Sequence, residues 1–170
     1  MATDIVKQAN PADEVMPGLW LGSRYAALNP EYLKEKRISA VFNCTKDIPF
    51  EPIVRRQYRV PVDDNRQEAE IRNLELWSYE IVYKLMAEHH RATAEGTGVL
   101  VHCAAGMQRS AASVAMYLIA VRRGITTDEA IRFIQSKRSI AFRPSANFEK
   151  SIRGFEASFN NDILPQLSRK

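Results

Sequence analysis

The segment from Gly98 to Gly124 leaves this chain few folds to choose from. Val99-Leu100-Val101 is a short apolar run bounded by glycine, the pattern of a central strand buried on both faces. A tight loop follows, His102-Cys103-Ala104-Ala105-Gly106-Met107-Gln108-Arg109. From Ser110 to Arg123 the residues are then nearly all apolar or small, up to Gly124 as the helix C-cap. A helix with no polar face belongs in the interior. With 170 residues and 45% hydrophobic content, the chain has material for one such core and not comfortably for two.

The flanking sequence supplies layers for that core. Val15 to Gly22 reads as a strand and turn, and Ile38–Cys44 and Gln57–Val62 as further strands. Pro30–Lys36 reads as a short helix with proline at its start. Ile71, Leu74, Trp77, Ile81, Leu85 and Met86 recur at helical spacing between Glu68 and Ala92, and Gly96 and Gly98 stop that helix. Thr126 with Glu129 forms a capping-box start for a helix through Gln135 and Lys137, and a last helix spans Phe148 to Phe159. Strands interleaved with helices predict a single α/β domain with a central, mostly parallel sheet flanked by helices. Residues 1–14, which lack a sustained apolar period, read as a flexible arm; 15–162 read as the domain and 163–170 as a tail.

Composition narrows the setting. No basic and apolar leader opens the chain, and no apolar run approaches the ~18 residues of a membrane span. A soluble protein of the cytoplasm or nucleus is expected. Two cysteines, one inside the loop, make no disulfide framework and favour a reducing compartment. The formal charge of +4 is spread along the chain and identifies no partner by itself.

The loop between strand and helix carries the chemistry. Cys103 and Arg109 stand six apart, so both can face one anion. Successive backbone N–H groups and the positive end of the helix dipole form an anion cradle there. Arg109 adds a guanidinium fork suited to phosphate oxygens. The same field stabilises a thiolate, so the Cys103 thiol is expected in the activated range of roughly 3.5–7.5. Gly106 lets the backbone approach a ligand. A leaving alkoxide needs a proton, and the strand running into Val62-Asp63-Asp64-Asn65 offers two carboxyl groups for the purpose.

His102-Cys103-Ala104-Ala105-Gly106-Met107-Gln108-Arg109-Ser110 resembles the signature of the cysteine-based protein tyrosine phosphatases. Pro17-Gly18-Leu19-Trp20-Leu21-Gly22-Ser23 and Asn43-Cys44-Thr45 are similar to segments of the small, atypical dual-specificity members, and the likeness spans roughly residues 15–160. The resemblance implies a phosphatase-type catalytic loop and hydrolysis of phosphotyrosine, phosphoserine and phosphothreonine in a phosphoprotein substrate, through a cysteinyl-phosphate intermediate. It implies neither metal nor cofactor. In this reading Cys103 is the nucleophile, and Ala104, Ala105, Gly106, Met107, Gln108 and Arg109 hold the phosphate. Asp64 is the general acid, with Asp63 as the neighbouring alternative. Ser110 assists departure of the thiolate, or is only the helix N-cap. His102 supports loop and thiolate by hydrogen bonding, or is a satisfied core histidine.

Other positions carry weaker expectations. Cys44, at a strand end beside Cys103, is either a redox partner for it or a buried structural thiol. Ser145 stands where related chains carry an asparagine that supports the loop, with Asn147 as its available substitute. Arg143 is a second phosphate contact or a solvated side chain, and His89 and His90 read as surface residues. Phosphatases of RNA 5′ ends or phosphoinositides are the alternatives within the superfamily, but no lysine occupies the loop and no specific nucleic-acid partner is expected. A phosphoprotein-binding module with little turnover is the alternative of another class. Retention of Cys103, Arg109 and Asp64 speaks against it.

Overall fold

The glycine-bounded run becomes strand β5 (Gly98–His102), buried along its whole length. The structure is a computed structural model describing residues 2–167; Met1 and positions 168–170, the end of the expected tail, lie outside the described residues. Strand β5 lies between β2 (Leu19–Gly22) and β3 (Ile38–Asn43), parallel to both. Beyond β3, β4 (Arg56–Arg59) continues the parallel set, and β1 (Ala12–Met16) closes the far edge antiparallel to β2. The sheet order is therefore β1-β2-β5-β3-β4, mostly parallel as expected.

Alternate residues of a strand point to opposite faces, and β5 shows the consequence. Val99 and Val101 join the larger core under α4 (Glu68–Glu95), α5 (Arg109–Val121), α6 (Thr127–Lys137) and α7 (Glu149–Ser158), while Leu100 joins a smaller one. That smaller core is covered by α2 (Arg24–Ala27) and α3 (Pro30–Glu35) through Ala26, Ala27 and Leu33. Helix α5 is buried from Ser110 to Ala120, which is why its sequence has no polar face. The Thr126–Glu129 capping box is present, each side chain meeting the other residue's amide at 3.1 Å.

Several boundaries differ from expectation. The sheet begins at Ala12, not Val15: the last part of the segment read as a flexible arm is an edge strand, preceded by helix α1 (Ala2–Gln8). Strand β1 carries a bulge between Glu14 and Met16, so its apolar residues do not keep period two. Helix α5 is capped at Arg122, and Gly124 lies in the turn beyond it. Met86 is exposed, together with Leu76, Tyr79 and Tyr83 on the same helix. His89 is half-buried, held between the Tyr117 hydroxyl at 2.6 Å and the Pro17 carbonyl at 2.8 Å. After α7 the chain stays helical through a π-turn (Phe159–Ile163) and α8 (Leu164–Leu167), so the expected tail is helical as far as it is described.

Candidate active site

The loop from Cys103 to Arg109 owes its shape to what its carbonyl groups are bonded to. The Ala104 carbonyl accepts from the Arg24 amide at 3.1 Å, and that of Met107 from the Phe142 amide at 2.8 Å. Those of Ala105 and Gly106 accept from the Arg138 guanidinium at 3.1 and 2.9 Å. With these carbonyls turned outward, the peptide N–H groups face in, the arrangement that cradles an anion. The amides of Gly106 and Ser110 already bear on the Cys103 sulfur. Gly106 sits at φ 70°, and a Cβ there would stand 2.5 Å from the Gly22 carbonyl oxygen, so only glycine fits this turn.

Cys103 is 2% exposed. Burial pushes its thiol up, but the Arg109 charge, the Ser110 hydroxyl and the two amides outweigh burial and hold it below its ordinary value. Cys103 Sγ lies 3.1 Å from Ser110 Oγ. The helix N-cap is Gln108, so the Ser110 hydroxyl serves the sulfur and not the helix end. Arg109 donates from Nη1 to the Val62 carbonyl at 3.0 Å, while its Nε is buried without a protein acceptor.

The Val62 contact ties Arg109 to the segment carrying the two candidate acids. Asp63 pairs with Lys46 at 3.2 Å, and its amide donates to Glu70 at 2.8 Å. Asp64 is exposed, and its carboxylate accepts from Asn147 Nδ2 at 3.0 Å. Both line an open cavity of about 420 Å³ that also touches Arg24, Thr45, Ala104 and Arg109. Asn147 thus supports the carboxylate opposite the loop, and the loop itself is supported by Gln108. The Gln108 side chain donates to the Ser145 carbonyl at 2.8 Å and accepts from the Asn147 amide at 2.9 Å. Ser145 contributes only that carbonyl, and Arg143 is exposed.

His102 contacts backbone, not sulfur. Its Nδ1 lies 3.2 Å from the Cys103 carbonyl oxygen, and burial, reinforced by the Arg109 and Arg59 charges, lowers its pKa to about 4 against that hydrogen bond. It is a neutral imidazole at physiological pH. Cys44 lies beyond β3 with its amide on the His102 carbonyl at 2.8 Å and Sγ 3.6 Å from Ser113 Oγ. Burial pushes its thiol up to about 12 despite the Ser113 contact, and both cysteines are free.

Arg138 is the residue that sequence reasoning missed. In a Lys137-Arg138 pair at a helix end it looks like an ordinary charge complementing the helix dipole, yet it is 1% exposed and holds two loop carbonyls. The one available signal is Gly106 itself, which implies close packing behind the loop. Among the described residues no cluster of metal-ligating side chains occurs, and no helix is long and apolar enough to cross a membrane.

Comparison with known proteins agrees with this geometry. A family model described as dual specificity phosphatase, catalytic domain, matches residues 19–158. Human dual specificity protein phosphatase 4 is 32% identical over 157 residues, which cover 91% of this chain and 37% of that protein. Human protein phosphatase Slingshot homolog 3 is 31% identical over 159 residues, covering 89% of this chain and 22% of that protein. The chain therefore spans well under half the length of these relatives. The crystal structure of human DUSP28 superposes with a TM-score of 0.69 at 27% identity, covering 89% of this chain and 96% of that one. With its family match, its mostly parallel sheet and its cysteine loop opening a buried helix, the chain belongs to the dual specificity phosphatase catalytic-domain family.

Proposed function

We propose that this chain is a protein phosphatase that hydrolyses phosphotyrosine, phosphoserine and phosphothreonine esters through a cysteinyl-phosphate intermediate. The observation that carries this reading is the Cys103 thiol, held below its ordinary pKa inside a loop whose amides face inward and whose arginine has a buried, unpaired Nε. A phosphoryl oxygen supplies the acceptor that this Nε lacks.

The reaction runs in two displacements. The Cys103 thiolate attacks phosphorus, forming an S–P bond as the P–O bond to the leaving group breaks. Arg109 and the loop amides stabilise the charge spread over the three equatorial oxygens. Asp64, protonated, gives its proton to the leaving oxygen. Water then attacks the phosphoryl group and yields a proton to the Asp64 carboxylate; the S–P bond breaks and the sulfur leaves as a thiolate, to which the Ser110 hydroxyl donates at 3.1 Å. Inorganic phosphate is the product.

The walls favour protein over polyanionic substrates. Asp47, Asp63 and Asp64 surround the cavity, with Arg24 and Arg109 as its basic members. With Asp63 paired to Lys46, the acids and arginines of the lining balance, so the cavity offers no surplus of positive charge to a headgroup or RNA end bearing several phosphates. No aromatic ring lines the cavity, so nothing forms a deep slot reserved for a phenyl ring. The test is turnover of phosphotyrosine and phosphothreonine peptides beside phosphoinositides and triphosphorylated RNA. Both peptide classes are expected to be hydrolysed in preference. Cys103→Ser is expected to bind phosphopeptide without turning it over, since a hydroxyl does not ionise at neutral pH. Preferred turnover of a lipid or RNA, or wild-type-like activity of Cys103→Ser, overturns the reading.

A further inference from the structure

A guanidinium buried as completely as that of Arg138 must be neutralised and its donors satisfied. Its Nη1 donates to the Asp13 carboxylate and to the Asn10 carbonyl, each at 2.8 Å. The other Asp13 oxygen accepts from Asn10 Nδ2 at 2.8 Å, so the carboxylate is itself held in place. On the far side, Arg138 Nε and Nη2 donate to the Gly106 and Ala105 carbonyls. One line of charge and dipole thus runs from the Asp13 carboxylate through the guanidinium and two peptide groups to the inward N–H face of the loop. Aligned hydrogen bonds of this kind polarise one another.

The same N-terminal segment reaches the loop by a second route. The Pro11 carbonyl accepts from the Ser23 amide at 2.8 Å, at the start of α2, and the next amide, that of Arg24, holds the Ala104 carbonyl. Residues 10, 11 and 13 therefore stand behind three consecutive loop carbonyls, those of Ala104, Ala105 and Gly106. All three precede the region matched by the family model, which begins at residue 19.

We propose that Asp13 and Arg138 are positioning residues of the phosphate cradle, and that strand β1 is part of the anion-binding site and not merely an edge of the sheet. The proposal rests on the reading of the Cys103 loop as a phosphate site. Without the Asp13 charge the guanidinium has no buried counter-charge, its hold on the two carbonyls loosens, and the inward amides lose their aim.

The experiment uses the full chain carrying Asp13→Asn, a near-isosteric change outside the loop, with Arg153→Ala as a control that breaks the exposed Arg153–Asp128 ion pair remote from it. Orthovanadate affinity is measured by calorimetry. Ionisation of Cys103 is read from the pH dependence of iodoacetate alkylation, which a purely structural contribution does not move. Asp13→Asn is expected to weaken vanadate binding about tenfold or more and to shift the alkylation profile to higher pH, while Arg153→Ala changes neither. If Asp13→Asn fails to fold, Asp13→Glu, which keeps the charge but misplaces it, is expected to show smaller shifts in the same directions. A folded variant matching wild type within about twofold in affinity, with an unchanged profile, overturns the proposal and leaves the phosphate reading intact. A wild-type chain that binds no oxyanion overturns both.

Discussion

Asp63 and Asp64 are neighbours in sequence with opposite commitments. The Asp63 carboxylate is spent on Lys46, and its amide on Glu70, whose carboxyl group is itself held below its usual range mainly by Lys46. Asp64 faces solvent and the cavity, steadied only by Asn147. Asp64→Asn is expected to slow hydrolysis of unactivated phenyl and alkyl phosphates by about 10²–10⁴-fold, with a much smaller loss on an activated aryl ester that expels a stable phenolate. Asp63→Asn is expected to leave that leaving-group dependence unchanged. Rates for a graded series of aryl phosphates decide the matter, and an exchange of behaviour between the two variants makes Asp63 the acid. Cys44 and Cys103 diverge as well, for their pKa values move in opposite directions although each immediately follows one of two adjacent strands. The difference is the loop: at Cys44 the Ser113 hydroxyl and a weaker effect of Arg109 do not offset burial, and no loop amides assist them.

At the scale of elements, the catalytic loop and strand β2 approach as closely as backbone allows, and glycine makes this possible. Gly106→Ala forces a side chain into φ 70° and drives its Cβ to 2.5 Å from the Gly22 carbonyl. It is expected to cost at least about 1–3 kcal/mol from the left-handed backbone, more with the clash, and to abolish vanadate binding. Gly124→Ala, at φ 95° with nothing within 4 Å, should lower the urea midpoint modestly and leave vanadate affinity unchanged. Equal effects of the two on affinity would show that the close approach is irrelevant to the anion. This loop was legible in the sequence because its information is local: the glycine-bounded strand, the Cys103–Arg109 spacing and the apolar α5 occupy one contiguous stretch. Strand β1 was not, because the bulge between Glu14 and Met16 breaks the alternation by which a strand is recognised. Arg138 was hidden for a different reason. Its partners are backbone carbonyls and residues 125 and 128 positions away, which no local pattern encodes.

For the molecule as a whole, the buried imidazole of His102 links stability to pH. Its pKa is about 4 in the folded chain against an ordinary 6.5, so between these values the unfolded chain holds the extra proton. The stabilisation is complete above pH 6.5 and is lost as pH falls toward 4, by up to about 3 kcal/mol. Urea midpoints measured across that window are expected to decline for wild type and to flatten for His102→Asn, which keeps a donor near the Cys103 carbonyl and cannot titrate. Parallel declines in the two proteins would assign the loss to other groups. The Asp13–Arg138 pair has a further consequence, in time. A contact spanning 125 positions closes only after most of the chain exists. In a chain made from its N-terminus, Cys103 and its loop are synthesised before Arg138, so the loop exists before the guanidinium that braces its carbonyls.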